Sequence, residues 1–464
     1  MYEIALHLDV HGEKTLYEQI YEYLKAEIQK GAVRGGERLP STRMLASRLE
    51  VSRSTVLLAY EQLLSEGYVE TVPYRGYFVC QVGELYHLEA AKPEEPEGGQ
   101  GDGKAYKYDF SPNDVDLEHF PYAVWRKLNR EVLQEGQKEL LRLGDARGEA
   151  ELRNAIGTYL HQARGVQVHP SHIVIGAGND YLLMLLSRLL GTEHRIAMES
   201  PTYRHAYEVF RSLGYECSTV SMDRHGMDVR ALRESGADVA YVMPSHQFPL
   251  GTVMPIRRRQ ELLEWAEEKP ERYIIEDDYD SEFRYVGKPV PALQGIDGSR
   301  KVIYIGTFSK SIAPAIRISY LVLPPALAEQ YERVGRSFSC TVSRMDQKML
   351  QLFMERGYFE RHLNRMRALY KSRHDALLAK LRAVRGIRRV LGERAGVHIL
   401  LEFSPDRTEE ELVERAACQG VRVYPLSEYC IGEKPHAPVV LLGYADMGEE
   451  QLGEAVRLLA GAWN

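Results

Sequence analysis

The chain has 464 residues, of which 44% are hydrophobic and 27% charged, and its formal net charge is −7. This length suggests two to four domains, and the composition excludes a mostly disordered chain. The net negative charge excludes a protein that coats nucleic acid with its whole surface, but it permits one small DNA-binding domain. No run of about 18 apolar residues exists, so we expect no membrane-spanning helix.

The five cysteines are scattered without metal-ligand spacing, and the first residues lack a secretory signal pattern. These features predict a reduced cytoplasmic protein with no metal site. Residues 83–106 are rich in proline, glycine and acidic residues, which cannot build a core. We therefore expect a domain at 1–82, a flexible acidic linker at 83–106 and a larger domain at 107–464. The last part of the larger domain, from about 340, is expected to form a smaller α+β subdomain.

The first domain has the pattern of a winged helix-turn-helix. Apolar residues spaced by three or four positions between 17 and 28 predict a helix. Ser41 and Ser52 are placed as N-caps of two further helices. Two short β-patterned runs, Tyr68–Val72 and Gly76–Val82, predict a hairpin.

Basic residues cluster around the two capped helices, at Lys30, Arg34, Arg38, Arg43, Arg48 and Arg53. Arg53 and Thr55 begin the second of these helices, where a recognition helix presents side chains to base edges. Arg75 at the hairpin tip can reach along a groove. The hydroxyl groups placed to donate to phosphates are those of Ser41, Ser52 and Ser54. The same pattern also fits a protein-docking winged helix with solvated arginines.

The run from 16 to 79 resembles the GntR family of bacterial regulators throughout. The matching motifs are Gly36 with Leu39-Pro40-Ser41-x-Arg43, Leu45-Ala46, Val51-Ser52-Arg53-Ser54-Thr55-Val56, Ala59-Tyr60, Leu63, Glu66-Gly67 and Gly76-x-Phe78-Val79. This resemblance implies that Arg43 and Arg53 contact operator DNA. The wing reads YRGYFV where the family usually has GxGTFV, so Tyr77 replaces a small threonine.

The second domain alternates apolar β-runs with helical stretches, which predicts an α/β fold with a mostly parallel sheet wrapped by helices. The β-runs are at 173–176, 195–199, 238–243, 273–277 and 302–307. Beyond about 340 we expect long helices, then three strands and a final helix.

Polar residues follow the ends of several predicted strands. Lys310 comes just after one of them, and Ser309 and Arg317 lie close to it in sequence. A lysine that forms a Schiff base needs a sheltered position, and nearby hydroxyl and guanidinium groups suit a phosphate. On the residues alone, a solvated lysine in a serine-rich loop is an equal alternative.

An acidic run ends another buried strand. Asp277 could keep a pyridine nitrogen protonated, and Tyr279 could donate to the phenolic oxygen of the same ring. A metal site or a helix cap is the alternative, and no histidine lies near with ligand spacing. Tyr203 follows a further strand and could stack on a planar ring. A strand-to-helix turn that presents N–H groups to phosphate is expected at Gly178, Asn179 and Asp180.

Taken together, residues 107–464 resemble the fold-type I aminotransferases that depend on pyridoxal phosphate (PLP). The resemblance implies that Lys310 forms the Schiff base, that phosphate is met at Gly178, Asn179, Asp180, Ser309 and Arg317, and that the ring is met by Tyr203, Asp277 and Tyr279. The segment SHQFPLG at 245–251 resembles the NPTG-type segment of these enzymes. This implies that His246 and Gln247 lie near the cofactor.

The fusion of both domains resembles the MocR/GabR class of transcriptional regulators. The resemblance extends to Phe120-Pro121-x-x-x-Trp125, Gly144-Asp145-x-Arg147-Gly148, Pro244-Ser245-His246-Gln247-Phe248-Pro249 and residues 276–283. It implies PLP as cofactor, operator DNA and a small-molecule effector as partners, and a homodimer. Relatives respond to gamma-aminobutyrate, taurine, a D-alanyl dipeptide or PLP itself.

Three positions depart from the patterns of these families. Leu441 stands where aminotransferases usually hold the substrate carboxylate with an arginine, and Leu143 where a tyrosine often reaches the neighbouring subunit. His205 lies near the place where gamma-aminobutyrate-sensing members carry an arginine. An aminotransferase without its carboxylate clamp loses orientation and rate. Leu441 therefore favours a regulator that senses PLP itself or a non-standard amine. A working aminotransferase with an auxiliary helix-turn-helix is the alternative, and a decarboxylase or lyase is a third possibility.

Overall fold

The computed structural model describes residues 6–9, 14–81, 106–134, 138–285, 287, 290–432, 435 and 437–464. The chain divides into two compact units, Met1–Gly103 and Lys104–Asn464. The expected linker at 83–106 lies outside the described residues apart from Tyr106. None of the helices in the described ranges is long and apolar enough to cross a membrane.

The first unit is a winged helix-turn-helix, as predicted. Its elements are α1 (Leu16–Gln29), α2 (Thr42–Leu49), α3 (Arg53–Ser65), β1 (Val69–Val72) and β2 (Gly76–Val79). Both predicted N-caps are confirmed, since Ser41 accepts from the backbone N–H of Met44 and Ser52 from that of Thr55. The apolar faces of the three helices form one buried core around Ile20, Leu24, Val56, Tyr60 and Leu63.

The wing has more backbone pairing than the sequence predicted. Strands β1 and β2 pair antiparallel, with Val69 opposite Val79. The stretch before α2 adds to the other edge of β2, where Leu39 N–H donates to the Tyr77 carbonyl and Val79 N–H to the Glu37 carbonyl, both at 2.9 Å. The wing is therefore tied to the turn that precedes the helix pair.

The second unit alternates strands and helices. Its helices are α4 (Tyr122–Val132), α5 (Ala150–Arg164), α6 (Asn179–Leu190), α7 (Arg204–Ser212), α8 (Val229–Glu234), α9 (Ile256–Glu267), α10 (Pro325–Val334), α11 (Arg344–Glu355), α12 (Tyr358–Leu381), α13 (Glu409–Cys418) and α14 (Glu449–Trp463). Its strands are β3 (Tyr108–Asp109), β4 (Ile173–Gly176), β5 (Arg195–Glu199), β6 (Glu216–Val220), β7 (Met222–Asp223), β8 (Gly226–Met227), β9 (Val239–Val242), β10 (Tyr273–Asp278), β11 (Val302–Thr307), β12 (Ser319–Val322), β13 (Ile387–Leu391), β14 (His398–Phe403), β15 (Val421–Arg422), β16 (Tyr424–Pro425) and β17 (Val439–Gly443).

Seven strands of the described chain form the main sheet, in the order β4-β12-β11-β10-β9-β5-β6. The sheet is mostly parallel, as predicted, and only β12 runs against its neighbours. The sequence missed β6 and β12. Strand β6 is largely solvent-accessible, so it lacks the continuous apolar run by which buried parallel strands are recognised. Helices cover the sheet and bury apolar side chains on both faces.

A smaller antiparallel sheet, β13-β14-β17-β16, packs with α12, α13 and α14. The segment that begins the second unit also belongs here, because β3 pairs with β15 and Phe110 is buried in the same core. In contrast, α11 packs against α4 and α5 beside the main sheet. The smaller α+β subdomain thus includes residues that precede α4, whereas α11 belongs to the part of the unit that contains the main sheet.

Candidate functional site

A cavity of about 510 Å³ lies where the parallel strands β4, β5, β10 and β11 end. Parallel strands present their carboxyl ends at one edge of a sheet, which is where ligands of α/β folds bind. The cavity is lined by Asn113, Asn179, Asp180, Tyr203, His205, Met243, Phe248, Asp277, Tyr279, Thr307, Ser309, Lys310, Pro314, Arg317 and Ser319. Eight of the eleven residues expected at a cofactor are among these, and Gly178, His246 and Gln247 are not.

Lys310 points its amine into this cavity from the turn after β11. Its Nζ donates to the backbone carbonyl of Pro112 at 2.9 Å. Burial lowers the pKa of Lys310 from 10.5 to about 8, although Asp280 and Asp114 act in the opposite direction. A lysine with this pKa is partly neutral near physiological pH and can act as a nucleophile.

Asp277 faces the cavity from the end of β10 and is almost completely buried. One carboxylate oxygen accepts from the hydroxyl of Tyr241, and the other, Oδ1, has no hydrogen-bond partner among the described residues. Burial raises the pKa of Asp277 to about 7. An unpaired buried oxygen is costly, so this position is suited to a cationic donor supplied by a ligand.

Tyr241 was missed in the sequence, although β-strand register could have found it. It lies on β9 opposite Ile275 of β10, two residues before Asp277 on the same face of the sheet. Diagonal neighbours of this kind are within reach of a long aromatic side chain. Periodicity within one strand does not give this pairing.

Tyr279 forms the adjoining wall and is backed by a buried histidine. Its hydroxyl oxygen lies 3.0 Å from His246 Nδ1, and that nitrogen lies 2.8 Å from Asp280. His246 therefore stands behind the cavity wall. Gln247 is directed elsewhere: its amide nitrogen donates to the Pro201 carbonyl at 2.8 Å, and its oxygen accepts from a backbone N–H of its own loop. Gln247 does not line the cavity, and its side chain links these two loops.

The opposite end of the cavity collects groups that can bind an anion. Gly178 precedes α6, so the first N–H groups of that helix are free of intrahelical partners. Arg317 Nη2 lies 3.2 Å from Asp180, and it packs so closely that a Cβ on Gly178 would come within 2.3 Å of it. With a φ of +89°, Gly178 also has a conformation that other residues rarely adopt.

Hydroxyl groups continue this anion-binding end. Ser319 Oγ donates to Thr307 Oγ1 at 2.9 Å, which in turn donates to Ser309 Oγ at 3.1 Å. Ser309 thus sits at the end of a hydrogen-bonded chain, with its own proton left for an acceptor in the cavity. Ser319 was not singled out in the sequence, since β12 was not predicted.

Tyr203 lies at the start of α7 and packs edge-on against Phe248, with ring centroids 6.2 Å apart. Burial raises its pKa to about 12, so it stays neutral. His205, two residues further along the chain, contacts Asp180 through Nε2 at 2.8 Å.

Leu441 is completely buried in an apolar cluster on the smaller sheet. Its companions there are Leu400, Leu426 and Val439. In the described chain, the cavity-lining side chains that can carry positive charge are Lys310, Arg317 and His205. Among the residues that line the cavity, the arginine is Arg317, which follows β11, and Leu441 lies outside this lining.

The predicted DNA-facing residues lie together at the start of α2 and α3. Arg43 and Arg53 are exposed, and Arg53 Nε contacts Thr42 Oγ1 at 3.4 Å. Ser41 and Ser54 are exposed as well. The hydroxyl groups of Ser52 and Thr55 are 2.8 Å apart, so both are engaged at the helix cap. Arg75 is exposed on the wing, with its guanidinium 5.6 Å from the Phe78 ring centre.

Comparison with known proteins agrees with both halves of this description. A family model described as "Aminotransferase class I and II" matches residues 106–459, and one described as "Bacterial regulatory proteins, gntR family" matches residues 16–79. Among solved structures, the multiple substrate aminotransferase of Thermococcus profundus is similar, with a TM-score of 0.69 and 27% identity over 78% of this chain and 92% of that one. The kynurenine aminotransferase of Pyrococcus horikoshii gives a TM-score of 0.69 and 26% identity, over 76% and 90%. The second unit is thus an aminotransferase-like domain of fold-type I.

Full-length relatives share both units. The uncharacterized HTH-type transcriptional regulator YdeL of Bacillus subtilis is 38% identical over 97% of this chain and 96% of its own length. The probable rhizopine catabolism regulatory protein MocR of Rhizobium meliloti is 33% identical over 98% and 95%. The pyridoxine biosynthesis regulator PdxR of Corynebacterium glutamicum is 30% identical over 97% and 96%. The chain therefore belongs to the MocR-type transcriptional regulators, in which a GntR-type helix-turn-helix is fused to an aminotransferase-like domain.

Proposed function

We propose that this regulator binds operator DNA through its first unit and holds PLP on Lys310 in its second. The cofactor site then senses a small amine or PLP itself. The observation that carries the proposal is the set of three chemically different groups that line one cavity. They are a partly neutral amine, a buried carboxylate oxygen without a hydrogen-bond partner among the described residues, and a set of hydroxyl, guanidinium and backbone N–H groups that can bind an anion.

These groups fit PLP one by one. The unpaired oxygen of Asp277 suits a protonated ring nitrogen, and Tyr203 suits a ring face. Arg317, Ser309 and the start of α6 suit a phosphate. When bound, PLP supplies an aldehyde that reacts with amines and a ring that accepts electron density. The chain would hold that aldehyde at Nζ of Lys310, which must then leave the carbonyl of Pro112.

The cavity supports sensing more than turnover. A transaminated amino acid has a carboxylate that must be held in one orientation for the reaction to be fast. Leu441 stands at the sequence position of that clamp but is buried in an apolar cluster and does not line the cavity, and Arg317 is assigned to the phosphate. We therefore propose an effector that needs no carboxylate clamp, such as PLP itself or a non-standard amine.

A cofactor assay tests the proposal. Purified protein mixed with PLP should absorb visible light, and borohydride reduction should leave the pyridoxyl group on the peptide that contains Lys310. Lys310→Ala should abolish both signals, whereas alanine in place of Lys301, a half-buried lysine just before the start of β11 that does not line the cavity, should keep them. A wild-type protein that stays colourless with excess PLP would refute the proposal.

A steady-state assay separates the regulator from the working enzyme. We expect no turnover of amino-acid and keto-acid pairs by the PLP-loaded protein beyond that of free PLP. Turnover numbers of about 1 s⁻¹ or more, the range of ordinary enzymes, would instead establish an aminotransferase.

The assembly is proposed as a dimer formed through the second unit, with one helix-turn-helix per chain. Two reading units imply two half-sites in the operator. Sedimentation at micromolar concentration measures the assembly state, and a strictly monomeric protein would contradict it.

A further inference from the structure

The His246–Asp280 pair lies directly behind the cavity wall formed by Tyr279. His246 Nδ1 lies 2.8 and 3.0 Å from the two carboxylate oxygens of Asp280 and 3.0 Å from the hydroxyl oxygen of Tyr279. His246 is 3% exposed and Asp280 is 1% exposed, so bulk water does not compete for these groups. One ring nitrogen therefore serves two oxygen-bearing partners.

The chemistry of this nitrogen sets the direction of the hydrogen bonds. An ionised carboxylate can only accept, so His246 Nδ1 carries a proton when it bonds Asp280. A protonated ring nitrogen has no lone pair, and Tyr279 cannot donate its own proton to it. The hydroxyl oxygen of Tyr279 instead accepts from, or lies beside, Nδ1–H. Its O–H proton can go to Asp280, with which the Tyr279 hydroxyl also forms a side-chain hydrogen bond, or to an acceptor on the cavity side, so His246 and Tyr279 compete for the same carboxylate.

Packing keeps the imidazole in this position. Its ring stacks with that of Tyr279, with centroids 6.0 Å apart and an interplanar angle of 28°. Gly396 closes the other side, where a Cβ would come within 2.1 Å of His246 Cε1. Phe248, the neighbour of Tyr279 on the cavity wall, has no polar side-chain group. Tyr279 is thus the hydrogen-bond donor on this stretch of wall.

Building on the proposed function, we propose that His246 is a positioning residue for the cofactor. By occupying Asp280, it directs the hydroxyl proton of Tyr279 into the cavity, toward the phenolic oxygen of bound PLP. Without the imidazole, Asp280 becomes a buried acceptor without its donor and draws that proton away. The cavity then loses a donor although Tyr279 itself is still present.

The visible absorption of bound PLP reports this donor. A hydrogen bond from Tyr279 stabilises the anionic phenolic oxygen, so losing it should raise the pH midpoint of the absorption change by about one unit. The titratable groups packed around the hydroxyl from the neighbouring elements are Asp277, Asp278, Asp280, His246, His398 and Lys310. The other five groups are the same in wild type and in the His246 variants, so a shift of the midpoint reports the change at His246.

The experiment compares two amides of different reach in the PLP-loaded full-length protein. His246→Asn places its amide nitrogen near the position of Nδ1, so it should keep the midpoint within about 0.3 units of wild type. His246→Gln carries the amide one carbon further and should raise the midpoint by about one unit. Tyr279→Phe should give the same rise, and adding His246→Gln to Tyr279→Phe should change nothing more.

The outcomes separate this proposal from the cofactor proposal. A wild-type protein that takes up no PLP refutes the cofactor site itself. If wild type loads PLP but His246→Gln keeps its midpoint, or if Asn and Gln shift equally, the positioning role is refuted. If His246→Gln fails to fold, His246→Leu, which has no hydrogen-bond donor, replaces it, and a midpoint raised by about one unit supports the positioning role. A raised midpoint in His246→Asn then overturns it.

Discussion

Replacing Lys310 with methionine should stabilise the PLP-free protein at neutral pH. The amine lies at the wall of the cavity, and burial lowers its pKa from 10.5 to about 8. In the unfolded chain the same lysine is fully protonated at pH 7. The folded state therefore carries an energetic cost that the unfolded state does not. Methionine has a similar length and no charge, so it removes this cost.

The size of the effect follows from the pKa. A fall from 10.5 to about 8 corresponds to a cost of about 3 kcal/mol at pH 7. The variant also loses the hydrogen bond to the Pro112 carbonyl, worth about 1 kcal/mol, and the amine still borders an open cavity. We expect a net gain of about 1–2 kcal/mol in the free energy of unfolding.

The sign of the pH dependence gives the sharper test. Between pH 8 and 10.5 the folded state binds fewer protons at Lys310 than the unfolded state, so wild type gains stability relative to the variant as pH rises. Urea unfolding at pH 7 and at pH 10.5 measures this difference, with the exposed Lys127→Met as matched control. The advantage of Lys310→Met should fade across this window. A difference that is the same at both pH values would refute the reasoning.

Three further outcomes are expected. Gly178→Ala should weaken PLP binding about ten-fold, because its methyl group would meet Arg317. Gly214 also has a positive φ but has open space around it, so Gly214→Ala should leave PLP binding unchanged. An equal loss of PLP affinity in both variants would contradict the proposed anion-binding role of the Gly178 turn. Arg53→Ala should reduce operator affinity by about 1–3 kcal/mol and so reduce the difference between the affinities for operator and random DNA. Binding titrations on both duplexes at two salt concentrations measure this difference. In the same titrations, Lys30→Ala should weaken binding to operator and random DNA equally and make the affinity less dependent on salt concentration. Unchanged operator specificity in the Arg53 variant would instead indicate that the first unit docks on a protein.

The local features of the fold could be predicted from the sequence. The N-caps at Ser41 and Ser52 have donors and acceptors within three residues, so short-range patterns contain the whole interaction. The same holds for the strands of the main sheet with continuous apolar runs. Lys310, Asp277 and Tyr279 could be assembled into one site because parallel strands bring their carboxyl ends together.

The remaining features depend on contacts between distant parts of the chain. The Pro112 carbonyl that binds Lys310 is 198 residues away, and the Asp277 partner Tyr241 lies on a neighbouring strand. Backbone carbonyls carry no sequence signal, and strand register is set by the whole sheet. Gln247 shows the reverse case, since its neighbourhood in sequence to His246 did not bring its side chain to the cavity.

Operator binding with and without the cofactor tests the central claim most directly. If the second unit senses its ligand on Lys310 and the first unit reads DNA, the two binding events are coupled, and each changes the affinity of the other by the same factor. We predict that loading wild type with PLP changes its operator affinity by about five-fold or more, and that Lys310→Ala shows no change with added PLP. Identical operator affinity of the PLP-loaded and PLP-free wild-type protein would contradict the account.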